Sequence, residues 1–101
     1  MLSNFQGTLE ALDSVIDVKI CGISEVEIKV QTQYELEDDL HYKLSCPYLG
    51  EILGQPGYKI RVRTVDSKKR HGKFISTCEI VGLSAEKTAQ LKSYTNQMKR
   101  Q

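Results

Sequence analysis

The sequence lacks any apolar run approaching the roughly 20 residues that a membrane-spanning helix needs. No charged stretch followed by an apolar one opens the chain, so no secretion signal is expected. Cysteine is scarce. Cys21, Cys46 and Cys78 are three, an odd number without C-x-x-C spacing. That argues against a disulfide framework or a thiolate zinc site and fits buried thiols in a reduced, cytoplasmic setting. Glycines are few, and helical patterns do not alternate with strand patterns, which argues against a parallel sheet. Repeats and low-complexity segments are missing. So are an EF-hand loop, an HExxH pair, a Walker loop and a dinucleotide-binding motif. With five Tyr, two Phe and no Trp, platforms for stacking bases are scarce.

What is there is alternation. Tyr58 to Val65 sets Ile60, Val62 and Thr64 on one side and Lys59, Arg61 and Arg63 on the other. Lys73 to Val81 sets Phe74, Ser76, Cys78 and Ile80 on one side. Successive strand side chains point to opposite faces, so each run buries one row and wets the other. The polar, Gly-ended segment from Asp66 to Gly72 reads as the loop of an antiparallel hairpin. Upstream, Ile16, Val18 and Ile20 form one apolar row, and Val26, Ile28 and Val30 a second. Leu40, Tyr42, Leu44 and Cys46 form a third, ended by Pro47. Gly22-Ile23-Ser24 breaks the first run.

Phe5, Leu9 and Ala11 could share a strand face, but Gly7 interrupts it, so this segment reads as a short strand or an ordered arm. Asp38 and Asp39 sit where a turn is needed, with Leu36 tucked beneath. Tyr48 to Leu53 is either a short buried strand or a turn of helix. Ser84 is placed to cap a terminal helix over about 84–98, whose narrow stripe is Thr88, Leu91, Tyr94 or Thr95, and Met98. Glu86 suits the positive end of that helix, and Lys99 and Arg100 the negative end. The last few residues should fray. The expectation for 101 residues is a single domain. It is mainly β: a small antiparallel barrel of five or six strands with a C-terminal α-helix.

The net charge of +1 conceals a division. Residues 1–56 carry three Lys/Arg against ten Asp/Glu, a net of −7, and residues 57–101 carry eleven against three, a net of +8. Such halves either attract one another within the fold or present two surfaces to different partners.

Chemistry is thinly represented. Cys46 and His41 lie five residues apart on a strand and face opposite sides. Cys78 and His71 share no motif. A nucleophile needs a base within reach, so the cysteines read as small core residues and the chain as no enzyme. Catalytic residues, metal ligands and a cofactor are not expected. The basic hairpin is more suggestive. Lys68, Lys69, Arg70, His71 and Lys73 crowd its tip, and Arg61 and Arg63 line the preceding strand. Arg offers phosphate a planar fork and Lys a point charge, so these residues could hold an anion, a nucleotide or nucleic acid, or dock a protein. A solvated tip is the bland alternative.

The order of parts resembles a PilZ domain, the small bacterial β-barrel of cyclic di-GMP signalling. The match rests on Val18 to Val30 (strand, Ser-containing turn, strand), on Leu36 to Leu44, and on Gly72 to Ser84 with Leu91 and Tyr94. The family's ligand motif is Asp or Asn, any residue, Ser, two residues, Gly. Those positions here are Gly22, Ser24 and Glu27, so only Ser24 survives. The family also clamps the dinucleotide with an Arg-x-x-x-Arg arm ahead of the barrel, and residues 1–17 hold no Arg or Lys. The resemblance therefore implies a signalling or motility adaptor that acts through protein contacts, with weak or no cyclic di-GMP binding. The candidate ligand-binding set is Ser24, Arg61, Arg63, Lys68, Lys69, Arg70 and Lys73. A phosphate- or nucleic-acid-binding barrel using residues 59–73 is the alternative.

Overall fold

The computed structural model describes residues 2–99, with side chains from Phe5 to Gln97. The strands are Leu2–Glu10 (β1), Val15–Ile23 (β2), Glu27–Thr32 (β3), His41–Ser45 (β4), Lys59–Arg70 (β5) and Lys73–Ile80 (β6). A short helix, Pro47–Ile52 (α1), separates β4 from β5, and Ala85–Lys99 (α2) follows β6. The strands close into a barrel in the order β1-β2-β3-β6-β5-β4, every pairing antiparallel. This is the fold class that the alternation implies.

The alternating rows explain the core. Val18 and Ile20, Ile28 and Val30, Leu44, Ile60 and Val62, and Cys78 are all buried. At about 25 cal/mol per Å² of apolar surface removed from water, these rows are the main drive to close the barrel. Besides the register shift between Leu2 and Phe5 of β1, two bulges shift the alternation. One falls at Cys21 between Ile20 and Gly22, so that Ile23 rather than Gly22 pairs with Ile28 inside. The other falls at Val65, between Thr64 and Asp66. An inserted residue reverses which later side chains face inward.

Several expectations change. β1 runs unbroken through Gly7, because a Cβ there would sit 2.8 Å from the Ser45 carbonyl oxygen at the seam where β1 meets β4. Glycine is what lets those backbones approach. Leu9 is buried on β1, whereas Ala11 lies beyond its end and is exposed. β2 continues through Gly22 to Ile23 before Ser24 breaks it. Val26 sits in the β2–β3 turn and is exposed, and Leu40 precedes β4 and is exposed, so neither joins its row.

The hairpin loop is far shorter than the polar segment suggests. Strand continues to Arg70, and the turn is His71-Gly72, with φ of 51° and 79°. Two successive positive φ values twist the chain in the sense a two-residue hairpin needs. The segment from Tyr48 to Leu53 is resolved as helix. Pro47 starts α1, where its missing N–H costs nothing, and Leu49 and Leu53 bury one face.

Ser84 caps α2 as expected: Lys87 N–H donates to its Oγ at 3.2 Å. Leu91 and Thr95 face the core, with Tyr94 half-buried. Tyr94 meets Tyr48 of α1 edge-on at 6.2 Å, and Tyr48 stacks on Phe5 of β1 at 4.1 Å. Burial, then the hydrogen bond to the Tyr48 hydroxyl, pushes Tyr94 up to about 12. The side chains of Met98, Lys99 and Arg100, assigned to the stripe and the helix end, lie outside the described residues, as does any fraying there.

Residues 33–40 cross from β3 to β4 over the barrel end, with Leu36 buried beneath as expected. Thr64 holds this crossing. Its buried hydroxyl accepts from Leu40 N–H at 2.9 Å and donates to the Glu37 carbonyl at 2.6 Å. Its backbone N–H donates to the Leu40 carbonyl at 2.9 Å, and its carbonyl accepts from Asp39 N–H at 2.7 Å. Thr64→Val keeps the shape and removes the hydroxyl, leaving two partly buried backbone groups without partners. The expected loss is about 1–3 kcal/mol, read as a lower urea midpoint with an unchanged slope. Thr64→Ser should recover most of it.

Candidate functional site

The sequence-predicted site residues divide into two groups. Ser24 lies in the β2–β3 turn, beside the end of the barrel where Glu27 pairs with Glu79. The hairpin tip lies beyond the other end, where Thr32 pairs with Phe74. Between them runs the whole of β3, six residues, or roughly 15–20 Å at 3.3 Å per residue. They do not form one ligand site.

At the first end the polar groups are already engaged. The Ser24 hydroxyl accepts from Val26 N–H at 3.3 Å and Glu27 N–H at 3.1 Å, and donates to the Glu27 carbonyl at 3.2 Å. A serine hydroxyl has one hydrogen and two lone pairs, and the turn occupies all three. Arg63 is taken as well. Its guanidinium donates to Asp39 at 2.8 Å and to Glu79 at 2.6 Å. Those two hydrogen bonds hold its pKa above the ordinary arginine value. Lys59 pairs with Glu10 at 2.7 Å. These contacts answer part of the charge division: Lys59–Glu10 and Arg63–Asp39 each join the basic half of the chain to the acidic half.

Arg61 differs from Arg63. No ion pair engages it among the described residues. Its guanidinium lies against Gly82, where glycine leaves room for it. It lines an open groove of about 570 Å³ with Leu12, His41 and Lys43. Tyr58, the nearest aromatic in sequence, has its face covered by the Lys87 ammonium at 4.9 Å.

At the tip the cations are exposed, and none of Lys68, Lys69, Arg70 or Lys73 has an ion-pair partner among the described residues. They do not share one face. Paired residues in adjacent strands lie on the same face of the sheet. Lys69 pairs with Phe74, on the inner row with Ser67 and Ser76. Lys68 pairs with Ile75, and Arg70 with Lys73, on the outer row. The Val65 bulge sets this parity. Lys73 also borders a shallow recess of about 210 Å³ with Gln6, Lys19 and Gln31.

One feature escaped the residue patterns. β4 reaches only Arg63 along β5, yet β5 runs on to Arg70. Beyond Thr64, β5 pairs only with β6 among the described residues. One side of its backbone is open there. The sequence shows no such mismatch in length, since the run from Leu40 to Cys46 is nearly as long as that from Tyr58 to Val65. The full length of β5 was obscured because the polar residues past Val65 imitate a loop.

The three thiols are free, two of them buried. Cys46 is buried and His41 exposed, so the two face apart as the alternation implies. Cys78 is buried, and desolvation pushes its thiol up to about 12. Cys21 is half-exposed; burial raises its pKa, and its thiol donates to the Lys29 carbonyl at 3.5 Å. Among the described residues no group of three or more His, Cys, Asp or Glu is placed to hold a metal ion. No family model matches the chain, and no curated protein matches it in sequence.

A pH dependence follows for Cys78. The unfolded thiol ionises near 9.0 and the folded one only near 12. Between those values the unfolded state holds fewer protons, so stability is full below pH 9.0 and falls towards pH 12. The slope from this one group is at most about 1.4 kcal/mol per pH unit. Cys78→Ala should have a shallower alkaline decline than the parent in urea melts across that window. Equal slopes would contradict the burial of this thiol.

Proposed function

We propose that the protein is a PilZ-like adaptor that works through protein contacts rather than as a receptor for cyclic di-GMP. The observation that carries this reading is the Ser24 hydroxyl. It stands in the turn between β2 and β3, in a six-stranded barrel followed by a helix, as the resemblance implies. Of the family's ligand motif it alone remains, and its hydrogen-bonding capacity is occupied within its own turn. Glu25 and Glu27 flank it. A doubly anionic dinucleotide placed there would meet uncompensated carboxylates, which oppose binding. Arg63, which lies two strands across from Glu27, is held by two carboxylates.

A second reading has one observation in its favour. The four cations of the tip have no ion-pair partners among the described residues, and free cations are what phosphate or nucleic acid requires. Against it, the cations are split between two faces, and the aromatic that pairs with one of them, Phe74 beside Lys69, is half-buried.

One calorimetric pair separates the readings. Cyclic di-GMP titrated at moderate salt should give no saturable heat in the micromolar range. Single-stranded DNA should give at most weak heat that fades steeply as salt rises. Saturable micromolar binding of cyclic di-GMP would overturn the adaptor reading. Tight binding of DNA that persists at physiological salt would favour the second reading.

A further inference from the structure

We infer that the open edge of β5, from Ser67 to Lys69, receives an acidic, extended segment of a partner protein as an added strand. The inference rests on the adaptor reading and names the surface and the chemistry of its partner.

The backbone makes the first argument. Arg70 and Lys73 flank a two-residue turn, so they are a hydrogen-bonded pair. Hydrogen-bonded and non-hydrogen-bonded pairs alternate along an antiparallel ladder. Lys68 and Asp66 therefore bond to β6, while the N–H and C=O groups of Ser67 and Lys69 point away from it. Nearer the barrel the same side of β5 is filled. Ile60 and Val62 face β4, and Thr64 bonds to Asp39 and Leu40. Past Thr64 no strand lies alongside among the described residues. An extended peptide can complete such an edge with main-chain hydrogen bonds, while its side chains set specificity.

Charge makes the second argument. An added strand would have one row of side chains beside Lys68 and Arg70 and the other beside Lys69. All three cations are exposed, with no ion-pair partner among the described residues. Carboxylates on both rows would be matched. A small or apolar residue suits the place beside half-buried Ser67. The same cations disfavour a second copy of this edge, since like charges would then meet strand to strand. Nucleic acid would satisfy the cations, and its phosphates could accept from the N–H groups of Ser67 and Lys69, but its backbone offers their carbonyls no evenly spaced donors.

The test uses the intact protein and a capped peptide of alternating Glu and Val. Three comparison peptides are the same sequence N-methylated at alternate residues on one edge, the same sequence N-methylated on the other edge, and a Lys-Val peptide. Binding is read by amide shifts and hydrogen exchange. The Glu-Val peptide should slow exchange at Ser67 and Lys69 while leaving Ile60 and Val62 unchanged. N-methylation on one edge only should weaken binding by about tenfold or more, because that edge must supply the hydrogen bonds. The Lys-Val peptide should not bind. Lys68→Glu with Arg70→Glu should weaken the Glu-Val peptide while leaving the urea midpoint near the parent's. Binding that both N-methylated peptides retain equally would overturn the inference, because it would then be electrostatic alone. Absence of binding, or protection located elsewhere, would overturn it too. None of these results bears on the cyclic di-GMP titration, so the two readings fail separately.

Discussion

The structure turns on a length mismatch. β5 has twelve residues and β4 five. In a closed barrel every strand has two neighbours, and backbone groups are satisfied on both sides. β5 meets that condition only as far as Thr64. Thr64 marks the limit: it is buried, and it ties the β3–β4 crossing to β5 by hydroxyl, amide and carbonyl. One residue later the bulge at Val65 resets which side chains face in. Within three residues β5 passes from two neighbouring strands to one, β6, which stays paired with β3 as far as Phe74. The barrel half buries Ile60, Val62 and Thr64. The half beyond Thr64 carries the free cations and the open edge.

Much of this was legible in the sequence. Period-two alternation located the strands and most buried rows, since a strand with one wet face must repeat every second residue. Ser84 marked the start of α2, because a free amide near a helix start seeks a side-chain oxygen. The failures share a cause. Gly7, Cys21, Val65 and the His71-Gly72 turn each depend on what a partner strand does. Gly7 reads as an interruption, yet it is required by the Ser45 carbonyl across the seam. Cys21 and Val65 are ordinary strand residues whose roles as bulges depend on register. The polar run from Asp66 to Arg70 reads as loop because nothing in it is buried deeply enough to show a period.

The candidate site was legible as composition and not as geometry. The sequence joined Ser24, Arg61, Arg63 and the tip lysines into one set. In the fold, Ser24 is closed within its turn, Arg63 holds two carboxylates, and Arg61 lines a groove near the start of β5. Only Lys68, Lys69, Arg70 and Lys73 remain together, on two faces of one hairpin. The charge division is in part internal to the fold. Lys59–Glu10 and Arg63–Asp39 draw the halves together, and what remains unpaired projects outward. Exposed pairs of this kind contribute little to stability. Their effect is to remove some cations from the set available to a partner.

The central claim is that β5 is half barrel strand and half open edge, and amide hydrogen exchange in the free protein tests it most directly. The N–H groups of Ile60, Val62 and Thr64 face β4 and the crossing, and should exchange slowly. Asp66 and Lys68 face β6 and should be protected to a lesser degree. Ser67 and Lys69 should exchange far faster than their neighbours on either side, giving an alternating pattern beyond Thr64. Protection of Ser67 and Lys69 equal to that of Ile60 and Val62 would mean that the edge is already covered, and would contradict the account.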